Sequence, residues 1–419
     1  MNENQKKKPT FLSSGTYGCI FLPGIPCEGN TQTEKGMITK IQTHTETTAQ
    51  EKKIGEKIKQ IKNHHQYYAP IMSSCKASLS TVANSEIEKC KILPKNKGGI
   101  ITSELNYEAN QIRYVGKDTL LKHLLGVFKT QHDNLVRTIV DSHNRLLDGF
   151  KKLADTGIIH FDVKENNIMC KDKTGIPMII DFGLSMDVET MDENNYKDIF
   201  YVYGPDYAPW CIEIVTISYA VNKIPDTDEI SENFASSIGI GEPTIIKNWK
   251  DQLVTMEQIN MIINEYFTKN NAMKTYLNDI QRQTYRNKIQ QYYNTFIGNK
   301  WEVFVNELLK SKFTWDNYGV TVMYLSIIKL LRVDENITEK MSEYKKYLEE
   351  IITQIPRERI TCEETKKKIN SMFKNMSRIE NNITKRKNQK KETINEVKKG
   401  VYSSIKADLI DQISIYRSE

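Results

Sequence analysis

Two short polar segments on either side of an apolar hairpin restrict this chain more than any other feature of its 419 residues. His160-Phe161-Asp162-Val163-Lys164-Glu165-Asn166-Asn167 follows a helical stretch, and Asp181-Phe182-Gly183 comes directly after Met178-Ile179-Ile180. Between them, Ile168-Met169 and Met178-Ile179-Ile180 bracket the turn residues Asp172-Lys173-Thr174-Gly175, which reads as a hairpin. Asp181 lies fourteen positions beyond Asn167. That is enough chain for one hairpin to return both side-chain oxygens to a single metal site. Any one of these residues taken alone is an ordinary polar turn; the ordered set carries the argument.

The rest of the chain divides around this segment. From Pro9 to about Val115 it offers short apolar runs between turn residues. Phe11-Leu12, Cys19-Ile20-Phe21, Met37 to Ile41, Tyr68 to Met72 and Ile112 to Val115 read as strands. Glu51 to Ile61 places Ile54, Ile58 and Ile61 on one helical face. From Thr119 onward the pattern turns helical, with Leu146, Leu147, Phe150 and Leu153 at helical spacing and Gly157 as a stop. Further helices are expected over 245–311, 317–332 and 337–352. The fold class is therefore α+β: a small sheet with one helix, then a larger helical part.

Composition narrows the class. Hydrophobic content of 39% and charged content of 27% are those of a soluble globular protein. The longest apolar run, Tyr318 to Leu331, is too short to span a bilayer and reads as a core helix. Met1 to Thr10 is polar and lysine-rich, without a secretory pattern. Seven cysteines with no Cys-x-x-Cys pair suggest reduced thiols in a cytosol-like compartment, with neither a zinc site nor a disulfide framework. On that reading the Asn-x-Ser/Thr triplets at Asn336, Asn375 and Asn382 carry no glycans. Residues 366–419 hold 14 Lys+Arg against 6 Asp+Glu, a balance of +8 in a chain of +6. Such a tail suits an acidic partner or nucleic acid. A solvated helical face is the simpler reading, and Phe373, Tyr402 and Tyr416 are too few for a stacking platform.

Leu12-Ser13-Ser14-Gly15-Thr16-Tyr17-Gly18-Cys19-Ile20 runs from one expected strand into the next. Glycines at such a turn let backbone N–H groups come close to phosphate oxygens. Lys40 lies on the following strand. Glu51 and Glu56 on the next helix are both placed to meet its ammonium, and Glu51 has the better register because Ile54 and Ile58 follow on the core face. These segments, in this order, resemble the eukaryotic-type protein kinase family over about residues 9–365. Residues 13–20 are similar to its Gly-rich loop G-x-G-x-x-G-x-V, with Ser13 and Ile20 in place of the first glycine and the valine. Lys40 resembles the lysine of V-A-I-K, residues 160–167 resemble H-R-D-L-x-x-x-N, and residues 181–183 are D-F-G.

The resemblance implies a bilobal fold: a strand-rich lobe over 1–115 with one C-helix, and a helical lobe over 116–365. The basic helical tail at 366–419 follows. It also implies ATP and Mg²⁺ as cofactors and proteins with Ser/Thr acceptors as substrates. Asp162 would be the base, Lys164 would offset charge on the transferred phosphoryl group, and Asn167 and Asp181 would hold Mg²⁺. Lys40, Glu51 and the Gly-rich loop would fix the nucleotide. Lysine at 164 is similar to serine/threonine kinases. Tyr114 to Leu120 resembles the hinge, Asp316 the residue supporting the catalytic loop, and Arg359 the partner of the A-P-E glutamate, for which Glu213 is the nearest counterpart. Three departures stand out: Phe161 replaces the arginine that reads an activation-loop phosphate, Ile214 to Thr314 forms a long helical insert, and Pro23 to Cys27 extends the Gly-rich hairpin. Residues 15–21 with this extension are similar to kinases of nucleocytoplasmic large DNA viruses, which would place the chain in host cytoplasm or virion. A pseudokinase scaffold and a small-molecule kinase are the alternatives on the same fold.

Overall fold

In the computed structural model, residues 8–14, 18–30, 34–43, 46–93, 107–172, 174–224, 248–332 and 339–374 are described. The chain begins with β1 (Thr10–Ser14), β2 (Cys19–Leu22) and β3 (Met37–Thr43), followed by helix α1 (Glu46–Lys59). Strands β4 (Tyr68–Ala69) and β5 (Ile71–Cys75), the one-turn helix α2 (Asn84–Ile87) and strand β6 (Tyr107–Arg113) come next. Five of these strands form an antiparallel sheet in the order β1-β2-β3-β6-β5. Alternation along β2 buries Cys19 and Phe21, as a strand with one face on a core requires.

Two strands depart from the sequence reading. The run Tyr68 to Met72 is split at Pro70, which has no N–H to donate to a ladder. Its first half pairs parallel with β10 (Pro177–Ile180), and its second half joins β6. Strand β6 begins five residues before Ile112 because Asn110 and Gln111 are buried but fully engaged. Asn110 Nδ2 donates to Gln42 Oε1 at 2.7 Å, and Gln111 Nε2 to the Ile25 carbonyl at 2.9 Å. A buried strand whose polar side chains satisfy one another gives no apolar alternation to read.

The expectation of reduced thiols is overturned. Cys19 is bonded to Cys90 and Cys27 to Cys75, with Cα separations of 5.6 and 5.7 Å. The partners stand 71 and 48 residues apart in sequence, so only the tertiary fold brings them together and no local spacing announces them. They tie β2 to the segment just after α2, and the Pro23–Cys27 extension to the end of β5. Cys170, Cys211 and Cys362 are free and buried.

The helical part starts with β7 (Asp118–Thr119), α3 (Leu120–Thr130) and α4 (Leu135–Asp155). Strands β8 (Ile158–Ile159), β9 (Ile168–Cys170), β10 and β11 (Met186–Asp187) carry the two polar segments, and β9 and β10 form the expected hairpin. Helices α5 (Tyr196–Ile199) and α6 (Ile212–Lys223) follow, then α7 (Met256–Lys269), α8 (Asn271–Tyr276), α9 (Asp279–Asn294) and α10 (Trp301–Leu309) within the insert. Helix α7 starts later than the expected helical stretch from residue 245, because Thr255 and Gln258 close a capping box at its N-terminus. Helix α11 (Trp315–Leu331) is buried on nearly every side and forms the axis of this part. Helix α12 (Glu339–Ile352) packs against it, and α13 (Cys362–Phe373) packs on α4 and is bonded to α11 through Asn317 and Thr365. Most of the basic tail, residues 375–419, lies outside the described residues, as does the stretch 225–247. Among the described residues no helix is long and apolar enough to cross a membrane.

His143 on α4 is enclosed in this core. Its ring stacks on Tyr324 at 4.0 Å, and its Nδ1 lies 2.5 Å from Tyr344 Oη. Burial pushes the imidazole far down, to about 3. The folded state therefore refuses a proton that the unfolded chain accepts below about pH 6.5. Stability should be level above that pH and fall as acidification proceeds toward the folded value, with a slope of up to about 1.4 kcal/mol per pH unit. Urea titrations from pH 7 to 5 should show His143→Phe losing less stability over this range than the wild type; equal slopes would refute it. Peptide mapping without reductant should recover Cys19 linked to Cys90 and Cys27 linked to Cys75, and recovery of all four as free thiols would contradict the fold described here.

Candidate active site

The two polar segments meet between the sheet and α11, and a single buried carboxylate sets the position of the first. Asp316, in the first turn of α11, accepts the backbone N–H of His160 at 2.8 Å and of Phe161 at 2.9 Å. Burial pushes this carboxyl up, while His160 and the two N–H groups pull the other way. Phe161 adopts φ 68°, the left-handed region that costs a bulky residue about 1–2 kcal/mol. Trp210 Nε1 donates to its carbonyl at 3.0 Å, and its ring is packed by Trp210, Phe200 and Trp315. Gly319 on α11 is needed here, because a Cβ would stand 2.9 Å from Cβ of Val163.

Asp162 follows on this fixed backbone. Asn167 Nδ2 donates to its carbonyl at 2.9 Å and to Oδ2 at 2.8 Å, and Lys164 Nζ lies 3.0 Å from the same oxygen. His160 Nδ1 accepts the Asp162 N–H at 3.3 Å, so the ring proton belongs on Nε2, which donates to the Ile180 carbonyl at 3.1 Å. That bond ties the first segment to the strand leading into the second. The His160 ring meets Phe182 at 5.2 Å, and Phe182 meets Tyr68 at 6.2 Å.

Lys40 joins the sheet to the second segment. Its Nζ lies 3.1 Å from both oxygens of Glu51 and 3.1 Å from Asp181 Oδ1. Of the two glutamates left open by the sequence, Glu51 makes this contact, and Glu56 pairs with Lys59 at the surface. Glu51 is braced from behind: Gln42 donates to it at 3.1 Å, and Asn110 donates to Gln42. Burial would depress the Lys40 ammonium, but Asp181 and Glu51 outweigh it and hold it above its usual range. Burial raises and Lys40 lowers the Asp181 carboxyl, with a net depression. Its side chain is still 46% exposed.

The Gly-rich segment is described in part. Leu12 is 53% exposed in the middle of β1, where the pairing register with β2 shifts, and Ser13 and Ser14 are exposed beside it. Gly15, Thr16 and Tyr17 lie outside the described residues. Gly18 has a packing role, since a Cβ would meet the Ile41 carbonyl at 2.7 Å. The Cys19 side chain is turned into the core by its disulfide, so only its backbone could face a ligand. Ile20 is paired across the ladder with Lys40.

Asp181 and Asn167 offer one carboxylate and one amide oxygen. Among the described residues no cluster of three His, Cys, Asp or Glu side chains could hold a metal by itself. This donor set fits Mg²⁺ bound together with phosphate, because Mg²⁺ takes oxygen ligands, keeps several waters and uses only one or two protein carboxylates. A cavity of about 690 Å³ lies elsewhere, behind the β9–β10 hairpin among His123, Arg145 and Asp172. It contains none of these groups.

Other contacts were not foreseen. Lys57 on α1 bonds Asp187 at 2.6 Å and Glu189 at 2.8 Å, fixing the helix against the segment after Gly183. Tyr207 Oη donates to Asp162 Oδ1. Asn270, between α7 and α8, donates to the carbonyls of Pro205 and Tyr207 at 3.3 and 3.1 Å. No short motif marks these, because each pairs residues far apart in sequence. Glu213 meets Arg359 in a fully buried bidentate pair, with Arg359 also over the Tyr318 ring at 4.9 Å. Comparison of the chain with protein-family models and with curated proteins finds no match.

Removing one member of the Glu213–Arg359 pair leaves a charge in the core. Glu213→Gln or Arg359→Met should each lower stability by about 3–5 kcal/mol. The double variant should lose less than the sum of the two. Denaturant titration of the four proteins checks this, and strict additivity would show that the pair is not coupled.

Proposed function

We propose that this chain is a protein kinase of the bilobal type, transferring the γ-phosphate of ATP to serine or threonine hydroxyls with Mg²⁺. The observation that carries the reading is the joint arrangement of Lys40 with Glu51 and Asp181, beside Asp162 held by Asn167 and Lys164. Each contact has a separate use in phosphoryl transfer. A scaffold would have no need to keep all of them together.

On this reading Lys40, kept charged by its two carboxylates, pairs with the α- and β-phosphates. Asp181 and Asn167 would hold Mg²⁺, which neutralises charge on the β- and γ-phosphate oxygens when bound. Asp162 orients the acceptor hydroxyl and receives its proton. Lys164, on the same carboxylate, is placed to offset charge on the moving phosphoryl group. Lysine there supports serine or threonine as acceptor. The Pro23–Cys27 extension of the Gly-rich hairpin supports a relationship to the kinases of large DNA viruses.

The reading extends to regulation. In place of an arginine that would read an activation-loop phosphate, Phe161 is packed among Phe200, Trp210 and Trp315. Activity should therefore not require a phosphate on residues 184–207. With purified chain, ATP and a Ser/Thr protein mixture, phosphate transfer should be seen. Asp162→Asn should reduce it by at least about 100-fold. Lys40→Ala should abolish detectable turnover and, by leaving the buried Glu51 carboxylate without its cation, should also lower the thermal melt of a chain that still folds. Absence of transfer by the wild type, or near-full activity of either variant, would refute the proposal.

A further inference from the structure

We propose that Tyr207 acts as a gate on the acceptor position: its phenol holds the place on Asp162 from which a substrate hydroxyl must donate, and a protein substrate has to displace it. This rests on the kinase reading above.

The geometry starts from Asp162, which is only 6% exposed. Its Oδ2 is engaged by Asn167 Nδ2 at 2.8 Å and by Lys164 Nζ at 3.0 Å. Its Oδ1 accepts the Tyr207 hydroxyl. A hydroxyl donating to this carboxylate is the contact an attacking serine or threonine has to make. Tyr207 thus offers the base the same chemistry as an acceptor, from within the chain.

The backbone that carries Tyr207 is held from several sides. Asn270, fully buried, donates to the Pro205 and Tyr207 carbonyls, and the Asn271 N–H donates to the Asp206 carbonyl at 3.3 Å. Trp210 N–H closes a turn on the Tyr207 carbonyl at 3.1 Å. Tyr203, upstream, donates to Glu265 on α7 at 2.7 Å. The segment cannot withdraw without breaking contacts to the insert. The ring, lying edge-on to Trp210 at 5.2 Å and packed against the core, would have to leave by turning about its own side-chain bonds. Displacement is therefore a rotamer change.

Such a gate discriminates between acceptors. A charge-assisted hydrogen bond must be replaced before any hydroxyl reaches the base. A protein substrate has binding energy from remote contacts with which to displace the phenol, and water has none. The gate should therefore suppress transfer of the γ-phosphate to water while permitting transfer to a bound Ser or Thr.

The test compares wild type, Tyr207→Phe and Tyr207→Leu in steady-state kinetics with a serine-containing peptide, and in ATP hydrolysis without peptide. The two variants lack the hydroxyl and differ in what they leave beside Trp210, and thermal melts report whether each folds. Tyr207→Phe is expected to lower the peptide KM by roughly tenfold, the worth of one charge-assisted hydrogen bond. Its kcat should be retained and its hydrolysis of ATP without peptide should rise. A fall in kcat at constant KM would show instead that the phenol positions Asp162, and would overturn the gate. Unchanged transfer and unchanged hydrolysis would overturn it as well. If the wild type itself transfers no phosphate, the kinase reading fails first and the gate falls with it; an active wild type confines any failure to the gate.

Discussion

The carboxylate of Asp316 is buried where charge is expensive, and it stays there because two backbone N–H groups, of His160 and Phe161, point at it. Those two hydrogen bonds hold the chain through a left-handed turn at Phe161 that a phenylalanine would not choose. The strain is local, and the compensation comes from the surroundings: Trp210 holds the Phe161 carbonyl and three aromatic rings enclose its side chain. Once that turn is made, Asp162 leaves the backbone in one direction, and Asn167 folds back to hold it. Helix α11 thus acts as the mount for the candidate base, and its near-complete burial is what makes the mount rigid.

The second anchor is a charge balance shared between the sheet and the hairpin. Lys40 is a buried cation with two acidic neighbours. A buried ammonium with one partner often gains little, because desolvation offsets the attraction. Here the second carboxylate comes from Asp181, just after the β9–β10 hairpin, so the charge that keeps Lys40 ionised also couples the sheet to the helical part of the chain. Behind it, Gln42 and Asn110 fill the hydrogen-bonding capacity of Glu51 from within the sheet. That explains why β6 carries polar residues at positions a hydrophobic pattern would leave apolar.

Local features were legible in the sequence and distant ones were not. Strands β1 to β3, the β9–β10 hairpin and the core helix α11 follow from runs and turns within a few residues, and the structure has them. The choice of Glu51 over Glu56 was favoured by the positions of Ile54 and Ile58, since the face that buries isoleucine also turns residue 51 inward. The disulfides were missed because their partners are brought together only by the tertiary fold. Strand β6 was misplaced because its buried polar groups satisfy each other. Tyr207 and Asn270 were missed for a related reason: a tyrosine and an asparagine become informative only when folding sets them against Asp162 and the backbone of residues 205–207.

The insert changes how the segment from Phe200 to Glu213 can be kept in place. A chain that orders such a segment through phosphate relies on arginine, which pairs with an anion added later. Phe161 cannot do this. What holds the segment here is present from the start: the aromatic packing of Phe161, the Tyr203 bond to Glu265, the Asn270 bonds to two carbonyls and the buried Glu213–Arg359 pair at its end. These contacts come from α7, the junction before α8, and the turn preceding α13, so the segment is ordered by the same helices that make up the core of this part. The phenol of Tyr207, which donates to the Asp162 carboxylate, is carried by the same backbone that the insert fixes.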